Sequence, residues 1–144
     1  MPFTFNNIGL GDLIVHESEP KVGYCREEIT VGSTPAVTLP VGSVVFRAIA
    51  ATPGNYAVLS NVSQLVTTNE FAITLGDSLG EVLPLSIAAA GTGNCAAVVR
   101  GNIILKDKKV FDVVIANGVA LNDTNKANLR HMLKKQGIIL EKTI

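Results

Sequence analysis

Two β-branched runs decide the fold class: Ala96-Ala97-Val98-Val99-Arg100-Gly101-Asn102-Ile103-Ile104-Leu105 and Lys109-Val110-Phe111-Asp112-Val113-Val114-Ile115, joined by Lys106-Asp107-Lys108. Apolar, β-branched segments on either side of a short charged tip are the pattern of an antiparallel hairpin, which places a strand on each side of residues 106–108. Toward the N-terminus the same reading continues almost without a break. Residues 22–31 end in the turn signal Gly32-Ser33-Thr34-Pro35, and residues 44–49 follow the turn Pro40-Val41-Gly42. Residues 56–59, 71–75 and 82–87 are further short strands, the last demoted to an edge or a bulge by Pro84. Many short strands with Gly and Pro between them predict a mainly β domain with an antiparallel, barrel-like body.

One segment carries the marks of a helix. Asn122 or Asp123 can cap its start, and Leu129, Met132 and Leu133 form an apolar stripe at i, i+3, i+4. Lys134 and Lys135 suit its last turn, and Gly137 suits the residue just past its end, so a helix is expected near 123–136. Ile138-Ile139-Leu140-Glu141-Lys142 then resumes as a short final strand. At the other end, Phe3, Phe5, Ile8 and Leu10 are interspersed with Asn6-Asn7, Gly9 and Gly11. That stretch has large apolar side chains but neither period, so residues 1–12 read as an extended N-terminal arm and residues 13–144 as a single β-rich domain.

Composition excludes several classes. The 144 residues are 47% hydrophobic and 17% charged, which fits one folded domain with a core of its own rather than a disordered chain. Twelve basic residues balance twelve acidic ones, and aromatics are 5% with no Trp. Neither a phosphate-neutralising surface nor a base-stacking platform is expected, so no nucleic-acid partner is predicted. The first basic residue is Lys21, and no apolar run approaches the roughly 18 residues of a membrane span. The expectation is a soluble protein made in the cytoplasm with no membrane partner. The charge is uneven along the chain: residues 1–72 hold three basic and six acidic side chains, and residues 73–144 hold nine and six. Such a split allows the first half of one subunit to pack on the second half of a neighbour.

Candidate chemistry is sparse. Gly76-Asp77-Ser78-Leu79-Gly80 satisfies the G-x-S-x-G nucleophile-elbow pattern and spells the Gly-Asp-Ser-Leu signature of a lipase and esterase family. An elbow needs a helix directly after it, which Glu81-Val82-Leu83-Pro84 does not supply. The only later histidine, His131, has Asn128 three residues before it, where that esterase family places Asp. A Gly-rich turn is the expectation, with a small serine esterase using Ser78 as the alternative. Gly91-Thr92-Gly93-Asn94-Cys95-Ala96 matches G-x-G-x-x-A but runs into a β-branched segment rather than a helix. His16, Cys25, Cys95 and His131 lack metal-ligand spacing, and the two cysteines read as buried thiols. No catalytic residue, cofactor or metal is predicted.

The pattern of the whole chain resembles the head decoration proteins of tailed bacteriophages, also called capsid stabilising proteins. Three stretches carry the likeness: Gly23-Tyr24-Cys25-Arg26-Glu27-Glu28-Ile29-Thr30-Val31 leading to Leu39-Pro40-Val41-Gly42-Ser43-Val44-Val45, then Val98-Val99-Arg100-Gly101, and the ending from Leu129 through His131 and Gly137 to Leu140. Cys25 stands where the family often has Ser, and residues 60–95 lie outside the likeness. The resemblance implies a β-tulip domain that assembles as a homotrimer on the outer surface of the expanded capsid, after synthesis in the host cytoplasm. It also implies an arm that reaches the major capsid protein, so Phe3, Phe5, Ile8 and Leu10 become the expected capsid-binding residues. Another phage structural component, such as a tail-tube or head-completion protein, is the alternative within the same class.

Overall fold

The computed structural model describes residues 13–17, 25–52 and 54–142. Among the described residues, ten strands and two α-helices follow one another: β1 Ile14–Glu17, β2 Arg26–Ser33, β3 Val37–Leu39, β4 Val44–Ala48, β5 Tyr56–Val58, β6 Asn69–Thr74, β7 Leu85–Ile87, β8 Gly91–Val98, β9 Ile103–Lys106, α1 Asp107–Ala116, α2 Asp123–Lys134 and β10 Ile138–Glu141. The chain is thus mainly β, with a C-terminal helix and a short final strand.

Five strands close a barrel in the order β2-β5-β4-β6-β8. Its longest seam is antiparallel, from Arg26↔Val98 to Ser33↔Gly91, while β2 and β5 close the circle in parallel through Val31↔Tyr56 and Gly32↔Ala57. All five strands contribute to one buried cluster: Ile29 and Val31, Tyr56, Val45, Ala72, Cys95 and Ala97. A barrel of so few strands is narrow, and the small side chains at 72, 95 and 97 fit it. Leu39, Leu85 and Ile87, from the separate β3–β7 pair, complete this cluster. Gly93 makes room for them: a Cβ there would stand 3.1 Å from Leu85 Cδ1 and 3.3 Å from Ile87 Cγ1.

Alternate residues on the same strands face the other way and build a second core. Val44, Phe71, Ile73 and Val98 join Ile103 and Leu105 of β9, Val110, Phe111 and Val114 of α1, Leu129, Met132 and Leu133 of α2, and Ile138 and Leu140 of β10. Each fully buried side chain of this size contributes about 1.5–3 kcal/mol, so the helices are held by this face rather than by propensity. Arg130 ties the layer together. It donates to Asp107 Oδ2 at 3.0 Å and to Leu140 O at 2.5 Å, and its guanidinium lies 5.4 Å from the Phe111 ring centre.

The expected hairpin about residues 106–108 does not form. The strand expected over 96–105 breaks at Gly101 (φ 95), and residues 109–115, expected as a strand, lie within a helix over Asp107–Ala116. β9 already has two partners, β1 antiparallel and β10 parallel, so no edge beside it is left for residues 109–115. A parallel β9–β10 pair also requires a long crossover, which α1 and α2 provide. Val110, Val113 and Val114 fall on one helical face, and the helix stops in a Schellman motif: Gly118 (φ 100) donates to Ile115 O and Val119 N to Val114 O. Two pairings, β2–β5 and β9–β10, are therefore parallel within an otherwise antiparallel body.

The C-terminal helix begins at Asp123 as expected and ends at Lys134, two residues before the expected end. Asn122 Oδ1 accepts from Asn125 N at 2.8 Å as the N-cap, and Gly137 takes the left-handed conformation (φ 83) after the last turn. Pro84 lies outside β7, which begins at Leu85.

Candidate functional site

The expected capsid-binding residues Phe3, Phe5, Ile8 and Leu10 lie outside the described residues, as does the whole arm over 1–12. What is described is the point where the arm joins the domain. Leu13 is fully buried, its carbonyl accepts from Lys106 N at 2.8 Å, and Ile14 pairs with Leu105. Leu13 and Ile14 are therefore anchored to the edge of the three-stranded β1-β9-β10 sheet, beside the start of α1. A bulge between Ile14 and His16 leaves Val15 and His16 exposed. At the far end of β1, Glu17 accepts two hydrogen bonds from Arg26, at 2.6 and 2.7 Å, which clamp the sheet to the first barrel strand. Hydrogen bonding to Glu17 holds the Arg26 guanidinium above its usual pKa.

Ser78 lies in a self-contained turn. Asp77 Oδ1 accepts from Leu79 N at 3.0 Å and from Glu81 N at 2.9 Å, while Asp77 N donates to Glu81 O. Gly80 holds φ 82. This acid is spent on its own loop, and residues 81–84 bend into β7 with no helix after the serine. His131 sits exposed on α2. The Gly-rich turn expected for residues 76–80 is what the chain forms, with Leu79 projecting from it almost fully exposed.

Gly91 to Ala96 lie within β8, so the G-x-G-x-x-A match opens no helix. Cys95 is buried inside the barrel and Cys25 in the second core, and neither forms a disulfide. Burial pushes the Cys95 thiol up to about 11, far from a reactive thiolate. Among the described residues, His16, Cys25, Cys95 and His131 are not gathered into a group that could hold a metal ion. No helix in the described residues is long and apolar enough to cross a membrane.

The uneven charge along the chain becomes a spatial asymmetry. Every arginine of the barrel and its loops is matched to an acid: Arg26 to Glu17, Arg47 to Glu70 and Arg100 to Glu27. The helical layer carries Lys106, Lys108, Lys109, Lys126, Lys134 and Lys135, of which Lys108 bridges to Asp112. Residues 26–100 hold three arginines against Glu27, Glu28, Glu70, Asp77 and Glu81, and residues 106–142 hold seven lysines and Arg130 against Asp107, Asp112, Asp123 and Glu141.

Comparison of the chain with family models, with characterised proteins and with solved structures finds no match.

Proposed function

We propose that the protein is a structural component of a tailed-phage virion, a decoration protein that binds the outer surface of the expanded capsid and stabilises it against internal DNA pressure. The observation that carries this reading is the root of the arm. Residues 1–11 hold two Phe and no charged side chain, and Leu13, the first described residue after them, is fully buried beside a sheet edge, which suits an anchor for a capsid-binding arm. Alternation of Phe3 and Phe5 about Thr4 suits addition of a strand to the major capsid protein, with backbone hydrogen bonds giving affinity and one face of side chains filling pockets. A protein that binds only the expanded shell stabilises that state by its binding free energy.

A homotrimer fits the same reading. The acidic barrel of one copy and the basic helical layer of the next are complementary, and head-to-tail contacts that close make a ring. Three arms acting together convert weak contacts into near-irreversible attachment. The test is co-sedimentation of the purified protein with expanded and unexpanded shells, together with immunogold labelling of virions. Binding to expanded shells alone, with label on the outer head surface, is expected. Label on the tail, or equal binding to both shells, overturns the reading.

A further inference from the structure

Leu79 is 84% exposed, the most of any large hydrophobic side chain among the described residues. Its turn is closed on itself: Asp77 Oδ1 accepts from Leu79 N and Glu81 N, Gly80 N donates to Asp77 O, and Leu83 N donates to Glu81 O. The Asp77 carboxylate is thereby held within the turn, and the tip Ser78-Leu79-Gly80 carries no charge. Ordering a loop on binding costs free energy, and a turn already fixed avoids that cost.

A groove of matching character lies at the other end of the barrel. β2 and β5 part after Gly32 and Ala57, the last of their parallel pairs, and leave an open groove of about 650 Å³. Pro35, Val37, Ala57, Val58 and Ala90 give it an apolar wall, and none of the described residues that line it is ionisable. Ala90, at φ 55, is fixed there by its N–H, which donates to Thr34 O. Arg26, at the start of β2, lines a small cavity with Asp77 and Gly80, whereas Gly32 and Ser33, at its end, line the groove. Roughly 20 Å of strand separates the two ends. The closed turn cannot cross that distance, so Leu79 meets such a groove only on another copy.

We propose that Leu79 of one copy docks in the groove of the next, and that the chain assembles head to tail through this contact. The inference rests on the assembly proposed above and names its surfaces. Their charges agree with it: the turn carries Glu81, while Asn117, just after the lysine-bearing α1, stands at the groove. Each copy offers one turn and one groove at opposite ends, so the contact repeats until a ring closes.

The experiment uses the full chain without shells, sedimented across a concentration series. Leu79 and Ala57 are exposed and belong to neither core, so Leu79→Lys and Ala57→Arg should fold as wild type. Each is expected to weaken self-association roughly tenfold or more, as for the loss of one buried leucine. An equimolar mixture of the two should form heterodimers and stop there, since one intact turn meets one intact groove and the other contact would oppose two cations. Either variant associating as wild type does, a mixture that stays monomeric, or a wild type monomeric at millimolar concentration overturns the proposal. Amide shifts of wild type test it without a variant: dilution should move Leu79 and Gly80 together with Ala57 and Ala90. Groove shifts that ignore dilution mark an occupant from the same chain and overturn it. Assembly through these surfaces without binding to shells overturns the decoration reading alone. Shell binding that both variants keep at wild-type strength, with no assembly, overturns this contact alone.

Discussion

The side-chain amide of Gln136 pairs with the main chain of Phe71 in both directions, Phe71 N donating to Oε1 at 2.7 Å and Nε2 donating to Phe71 O at 2.6 Å. The same Nε2 donates to Val99 O at 2.9 Å. β6 and β8 are paired at Ile73↔Val98 and Thr74↔Ala97, and the register would continue to Ala72↔Val99 and Phe71↔Arg100. The chain instead turns away at Gly101, and the amide of Gln136 fills the place of the missing strand. One side chain thus completes the barrel ladder from the end of the helical layer.

Gln136→Leu keeps the volume and loses these three hydrogen bonds, leaving main-chain groups of Phe71 and Val99 without partners. An unsatisfied buried group costs about 1–3 kcal/mol, so stability to urea should fall by about that much or more. Gln136→Asn is too short to reach both strands and should fare no better. A Gln136→Leu protein with wild-type stability would show that the bridge carries no load.

Gly137 and Gly118 both end helices with positive φ, at 83° and 100°, but only one is crowded. A Cβ at Gly137 would stand 2.5 Å from Gly101 O, while one at Gly118 meets nothing within 4 Å. Gly118→Ala should cost only the left-handed backbone, about 1–2 kcal/mol. Gly137→Ala should cost clearly more, and Gly137→Val more again, in thermal melts. Equal losses at the two positions would remove the Gly101–Gly137 contact as a constraint.

The Cys95 thiol, raised by burial from 9.0 to about 11, makes stability depend on alkaline pH. Below pH 9 both folded and unfolded states hold the proton and nothing is lost. Above pH 9 the unfolded chain ionises first, so stability falls as pH rises toward 11. The urea midpoint of wild type should decline through that window more steeply than that of Cys95→Ala. Native protein at pH 8 should resist thiol alkylation at Cys95 and accept it once unfolded; parallel pH profiles for the two proteins would contradict this.

Phe3→Ala with Phe5→Ala should weaken binding to expanded shells more than substitution of Asn6 and Asn7, because burial of each Phe contributes about 1.5–3 kcal/mol. Removal of residues 2–10 should leave the melting temperature unchanged, since Leu13 and β1 remain, and should abolish shell binding. Truncated protein that binds as tightly as wild type, or that unfolds, excludes the arm as the capsid contact.

Where local chemistry is unambiguous, the sequence alone determined the outcome. The Asn122 cap, the Leu129-Met132-Leu133 stripe, the Gly137 stop and the turn at Asp77 depend on residues within a few positions of one another, and each forms as read. Residues 109–115 show the limit of that reading. Val110-Phe111-Asp112-Val113-Val114-Ile115 fits a buried strand and a buried helical face equally well, and the local signs of a helix are slight: Asp107 in its first turn, the Lys108–Asp112 spacing and the Gly118 stop. Tertiary structure settled it, because β9 had both neighbours already and the β9–β10 pair needed a crossover. The parallel β2–β5 closure, the bridge from Gln136 to Phe71 and the groove beside Ala90 join residues far apart in the chain. No period or spacing records such contacts, since their free energy is gained only after both sides have been brought together by the rest of the fold.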